Sequence, residues 1–301
     1  MRSQLSPQRD DGSAQTPKDS ALRAPGHEAL QAAGAAATAR IAAEPLPTDR
    51  DSLDDAVVAH AFLAGLSPPK TSIDPAHERA EAQRFLATLN ATLESIGVPQ
   101  VEPHFYSVGA FAGGNFIAFL GREWKIMFDP ALFAGAGIDS VHEALFFHEA
   151  RHAEQYFRVL RLLAGRKTPR RAMRKVIDCP DSILDRAMTR PIAEHDEGTD
   201  EARVWLASLS DKAGNEAKEQ AIQKNDVFVR VSIAGETLLD STSSPEAKAA
   251  AAVEFKRVYP TIHAYMAIPF EADAYHVGAA IDAGEDSPAY LARVKKLADQ
   301  Y

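Results

Sequence analysis

Residues 148–152 read His-Glu-Ala-Arg-His, inside an apolar stretch that runs from Val141 to Leu163. Four residues turn an α-helix through about 400°, so His148 and His152 fall one turn apart on nearly one face. Val141, Leu145 and Leu160 share the side of the histidines, while Phe146, Phe147, Ala150, Ala153 and Phe157 form another apolar stripe. A helix apolar on most of its faces is a buried helix. Two imidazoles and a carboxylate buried there need partners. Hydrogen bonds from the histidines to carbonyl groups are the bland solution, and a shared metal ion is the economical one. Asp139 or Ser140 is the expected cap of this helix and Gly165 its expected stop.

The pattern is HExxH, whose spacing lets both imidazoles reach one zinc ion. Glu149 projects beside the metal, where it can take a proton from zinc-bound water and pass it to a leaving amine. A catalytic zinc takes three protein ligands and keeps one position open. The extended form with Gly and a third His is absent, because Gln155 and Arg158 stand at those positions. The third ligand is therefore expected to be a downstream glutamate. Glu271 is preferred: Pro269 marks a helix start, Glu271 falls in its first turn, and Ala272 and Ala274 leave room for packing against the motif helix. The alternative is the acidic cluster Glu194, Glu197 and Glu201, which a solvated helix N-terminus also explains.

The rest of the chain divides by texture. The first aromatic residue of the 301 is Phe62. Residues 1–48, rich in Ser, Gln, Pro, Asp and Ala, are expected to be a disordered tail, either solvent-borne or an address or loading segment. An Ala-rich piece from Glu28 to Ala43 can form a transient helix. A domain is expected over 49–301. A short helix is predicted from Ala56 to Leu66, and a stronger one from Asp74 to Ile96, with Pro75 at its first position and Gly97 ending it. Val101–Val108, Asn115–Leu120 and Trp124–Phe128 read as strands, the last two as a hairpin across Gly121-Arg122-Glu123. Helices are predicted over 168–177, 181–189, 192–209, 245–257, 270–283 and 287–299, and 225–239 is ambiguous between strand and helix. The fold class is α+β, mainly helical.

The segment from Tyr106 to Gln155 resembles the core domain associated with bacterial extracellular contractile injection systems, a gluzincin-type metallopeptidase group. The likeness lies in Gly109-Ala110-Phe111, Gly114-Asn115-Phe116-Ile117, Asp129-Pro130 and the apolar lead into His148-Glu149-x-x-His152-x-x-Gln155. Pro269-x-Glu271-Ala272-Asp273-Ala274 is similar to the glutamate helix of such proteins. The resemblance implies a minimal gluzincin: a small antiparallel sheet packed on the HExxH helix, with helical additions. Core strands and the HExxH helix would occupy 101–164, a helical insertion 166–258, and the glutamate and C-terminal helices 259–301. It further implies a zinc peptidase with His148, His152 and Glu271 as ligands and Glu149 as general base. Tyr275 is the first candidate for oxyanion stabilisation, with His276, Tyr265 and His263 behind it. The implied partners are a protein or peptide substrate and a contractile injection or secretion apparatus, which would handle the protein as an effector or toxin. The alternative is a non-catalytic structural or loading module of such an apparatus.

Charge and cysteine usage narrow the classes. With 33 basic and 42 acidic residues the net charge is −9, which argues against general nucleic-acid or anionic-membrane binding. Arg158, Arg161, Arg166, Lys167, Arg170, Arg171, Arg174 and Lys175 form an acid-free basic run, expected as a solvated basic face, or else as a site for an acidic partner. The single cysteine, Cys179, excludes an intramolecular disulfide and reads as a buried thiol. No apolar run reaches the length of a membrane span, and the first twenty residues hold no apolar signal region. The expected location is the cytoplasm of the producing cell, with delivery by a specialised secretion system. Limited proteolysis is expected to leave a metal-binding core that begins at about residue 50; loss of the fold on trimming would overturn the tail assignment.

Overall fold

The computed structural model describes residues 52–53, 56–66, 75–106, 117–133, 140–193, 196, 198–211, 216, 226–281 and 288–301. The tail 1–48, the Gly109–Phe116 motif, Asp74 at the predicted start of its helix, the cap candidate Asp139, and Glu194 and Glu197 lie outside them.

Helix α1 (Ala56–Gly65) packs on α2 (Pro75–Ser95). Helix α2 ends as its sequence requires. Gly97 takes a left-handed φ of 75°, its N–H bonds to Glu94 O, and the N–H of Val98 reaches back to Leu93 O. Three short strands follow, β1 (Glu102–Phe105), β2 (Ala118–Leu120) and β3 (Lys125–Phe128), in the order β1-β3-β2. The β2–β3 hairpin is present, with Leu120 opposite Lys125. Trp124, expected to open the strand, instead ends the turn at φ 57°, with its indole buried and its N–H bonded to Pro99 O.

The sheet is mixed rather than antiparallel. Strand β1 pairs with β3 in parallel, Glu102 with Lys125 through Phe105 with Phe128. The cause lies in β3, whose Ile126 and Phe128 have no exposed surface and claim the central place. The hairpin gives β2 one side of it, so β1 takes the other. Asn90 on α2 fixes the entry to β1, because its side-chain amide bonds both the N–H and the C=O of Val101.

The predicted motif helix is α3 (Ser140–Gly165), and Phe146, Phe147, Ala150, Ala153, Phe157 and Leu160 on it have 1% or less of their surface exposed. Phe62, Phe85, Phe128, Phe133 and Phe146 or Phe147 interlock around its first half with ring centroids 4.8–6.1 Å apart. It stops at Gly165 as expected, but Gly165 is not the left-handed residue of the stop. The left-handed residue is Lys167 at φ 56°, and the N–H groups of Lys167 and Thr168 bond to Ala164 O and Leu163 O. Gly165 has a different duty: a Cβ there would lie 2.0 Å from the carbonyl oxygen of Ile192.

Helices α4 (Arg170–Val176), α5 (Asp181–Thr189) and α6 (Thr199–Ser210) follow. Helix α6 starts seven residues later than expected, because Asp196 accepts the N–H of Ala193 and the Thr199 hydroxyl bonds Ala193 O, which holds a turn ahead of it. The basic run is not one solvated face. Arg158 and Arg161 are buried, the first against Glu154 and the second donating to Arg190 O, while Arg170 and Arg174 pair with Asp181. Cys179 is buried as expected, and desolvation pushes its thiol up to about 11.

The ambiguous segment is helix α7 (Asp226–Leu239), with Val227, Val231, Ala234 and Leu238 on its buried face. It packs with α8 (Pro245–Met266) and α10 (Pro288–Ala298) around Phe255 and Val294, a second apolar core. Between α8 and α10 lies α9 (Pro269–Gly278), which packs on α3. Among the described residues no helix is long and apolar enough to cross a membrane.

Gly165→Ala is expected to cost about 1–3 kcal/mol, the usual penalty for overfilling a packed contact. Lys167→Gly, which relieves a left-handed side chain, should be neutral or stabilising. Thermal melts of the two variants check both; an unshifted Gly165→Ala would mean that the Ile192 segment yields easily.

Candidate metal centre

His148 and His152 project from the middle of α3 toward the first turn of α9, which carries Glu271. All three are buried, with 4%, 7% and 0% of their surfaces exposed. One ligand atom from each gathers within 4.8 Å of the others. Glu271 Oε2 lies 3.2 Å from His152 Nε2 and 3.9 Å from His148 Nε2. Ligand bonds of about 2.0–2.2 Å in a tetrahedral site would put neighbouring donors about 3.3–3.6 Å apart. Of the two measured separations, 3.2 Å falls close to that spacing and 3.9 Å is wider, and the three groups together could hold a metal ion. Gly278 permits the close helix crossing, since a Cβ there would lie 2.9 Å from Ala144 O and 3.4 Å from His148 Cβ.

The orientation of His152 follows from hydrogen bonds. Gln155 donates its amide to Phe270 O at 2.9 Å and to Asp273 Oδ2 at 2.6 Å, so its Oε1 faces the ring. His152 Nδ1, 2.8 Å from that oxygen, must then carry the proton, which leaves the lone pair of Nε2 toward Glu271. Phe270 stacks flat on the same ring, 4.6 Å between centroids and 6° between planes. Tyr275 packs on His148 at 4.4 Å.

Glu149 stands beside the trio. Its Oε1 is 3.9 Å from His148 Nε2, and its Oε2 accepts the N–H of Phe119 at 2.6 Å. Phe119 lies on β2, the edge strand, and that N–H points away from β3. The outer edge of β2 therefore runs alongside the glutamate.

The remaining sequence candidates separate. Glu201 is exposed in the first turn of α6, and among the described residues the cluster that could hold a metal ion is His148, His152 and Glu271. Glu194 and Glu197 lie outside the described residues. His263 and His276 are exposed. Ala274 is buried, whereas Ala272 is exposed. Tyr265 donates its hydroxyl to Glu271 Oε2 at 2.7 Å. Desolvation first, and the Glu271 charge second, raise its pKa well above the ordinary tyrosine value, so it remains a donor.

The sequence reading missed Arg151 and Asp273. Arg151, only 1% exposed, donates to both oxygens of Asp273 at 2.8 and 3.1 Å, and to Glu154 at 2.7 Å. It also reaches the Ser52 hydroxyl, and Trp205 lies under the guanidinium at 4.9 Å. Burial alone would lower its pKa, but the Glu154 charge and the Asp273 bonds outweigh that and raise it. A cation in the middle of an apolar helix was the available signal, since it demands a buried acid elsewhere.

Compared with known proteins, the chain matches no described family, no curated protein and no solved structure.

Asp273→Ala leaves Arg151 buried without its bidentate partner, and removing one member of a buried pair costs about 3–5 kcal/mol. The expected result in chemical denaturation is a loss toward the lower end, because Asp273 keeps 26% of its side-chain surface exposed. A loss below about 1 kcal/mol would mean that Glu154 alone satisfies the guanidinium.

Proposed function

We propose that the protein is a zinc-dependent peptidase with Glu149 as general base. The observation that carries this reading is the gathering of His148, His152 and Glu271 with a second glutamate, Glu149, facing the same space. Two imidazole nitrogens and one carboxylate oxygen match the donor set of catalytic zinc, and three ligands leave a position open. A bound zinc ion supplies Lewis acidity, which brings water toward ionisation near neutral pH and polarises a carbonyl group.

The chain's own residues supply the rest. Phe119 N–H holds Oε2 of Glu149, which turns Oε1 toward the ligands. That oxygen accepts a proton from the attacking water and later returns it to the leaving amine. A substrate peptide runs along the outer edge of β2 through main-chain groups other than the Phe119 N–H, which Glu149 already takes, and so comes to lie alongside Glu149. Tyr275, on the ring of His148, is the donor proposed for the oxyanion. The resemblance to the contractile-injection core domain supports a role as a bacterial effector or toxin handled by such an apparatus.

Metal analysis and a peptide-cleavage assay on the purified chain test the reading. Wild type is expected to hold one zinc ion. Glu149→Gln should keep the zinc and the fold while cleavage falls by roughly 10²–10⁴-fold or more. Glu271→Ala should weaken zinc binding itself, and activity with it. A Glu149→Gln variant as active as wild type would overturn the hydrolase reading, and a zinc-bound wild type inert toward every peptide offered would favour the non-catalytic module.

A further inference from the structure

We propose that Tyr265 is a positioning residue for the metal ligand Glu271, and that the three-helix unit α7, α8 and α10 reaches the metal centre through it. The inference rests on the metal-site half of the proposed function and not on peptide hydrolysis.

The geometry is specific to one oxygen. Tyr265 donates to Oε2 of Glu271, and that same atom lies nearest to both imidazoles, 3.2 and 3.9 Å away. A glutamate side chain has three rotatable bonds, and burial alone does not choose which oxygen it presents. The hydroxyl makes that choice. It donates 2.7 Å from an atom that still has a second lone pair for a metal. Outer partners of this kind orient a ligand and are worth about 10–100-fold in metal affinity.

Tyr265 is well held for the task. It lies in the last turn of α8, only six residues before Glu271, and the N–H of Ile268 bonds back to its carbonyl in the tight link to α9. Phe228 of α7 meets its ring edge-on at 5.5 Å and 90°, and Tyr275 does so at 6.4 Å and 86°. Phe228 packs against the core of the three-helix unit, while Tyr265 packs against the core that contains α3. The ring therefore spans the two cores, with its oxygen at the metal side.

The competing role for Tyr265 is direct action on the substrate, as an oxyanion donor. The two roles differ in a metal titration. Tyr265→Phe keeps the ring and removes only the oxygen. If Tyr265 positions Glu271, zinc affinity falls by about 10–100-fold, measured by competition with a chromophoric chelator. The cobalt-substituted protein should then show an altered visible absorption band. Tyr275→Phe, which leaves the Glu271 contact in place, should change neither. If Tyr265→Phe binds zinc as tightly as wild type, the proposal is overturned, and a fall in turnover alone would assign the hydroxyl to the substrate. Should Tyr265→Phe fail to fold, Phe228→Leu is the second variant: it loosens the ring without touching the site and should weaken zinc by a few-fold, with an unchanged affinity overturning the link. A wild type that binds zinc tightly but cleaves nothing sinks the peptidase reading and leaves this one intact. An unaltered affinity in Tyr265→Phe does the reverse.

Discussion

Arg151 is a guanidinium with 1% of its surface exposed, and a cation so placed must be ringed by acceptors. Asp273 provides two of its bonds from a helix 122 residues away along the chain. Glu154 provides another, itself accepts the N–H of Leu53, and forms an ion pair with Arg158 Nε. Asp273 stands two residues after Glu271. The helix that satisfies the buried cation is thus the helix that carries Glu271, the third member of the cluster that could hold a metal ion. Buried ion pairs add little net stability against apolar alternatives, because desolvation offsets most of the attraction. Here the pair sets the register of α9 on α3.

A second donor to Asp273 extends the same logic to the His152 imidazole. Gln155 spends its amide N–H groups on Asp273 and Phe270, and only then is its oxygen committed to His152. The tautomer of His152 is therefore set from α9. The two histidines come from α3 and Glu271 from α9, and the orientation of His152 comes from contacts made across the helix pair.

Helix α3 was legible because its apolar positions recur at helical spacing along an uninterrupted run. The parallel pairing of β1 was not, since strand partners are chosen by burial and are not local in sequence; only the centrality of Ile126 and Phe128 decides them. Residues 225–239 carry Val227, Val229, Val231 and Ile233, an alternation that suits a strand, together with Val227, Val231, Ala234 and Leu238, a helical stripe. The helix prevails where α8 and α10 offer it an apolar surface. The histidines and Glu271 could be read from residue type and spacing. Tyr265 could be read as a residue near the site but not as a partner of Glu271, because hydrogen-bond direction is a property of three dimensions. The basic run was misread for a related reason: Arg158 and Arg161 stand three apart on α3, where they turn inward to Glu154 and Arg190 O.

The bond that holds Glu149 comes from a main-chain N–H of Phe119 and not from a side chain. Every residue except proline supplies that group. Mutational drift along β2 can therefore exchange the side chains a bound strand would meet while the carboxylate keeps its attachment. The side chains along the strand edge and the aim of the glutamate are, in this chain, separately evolvable.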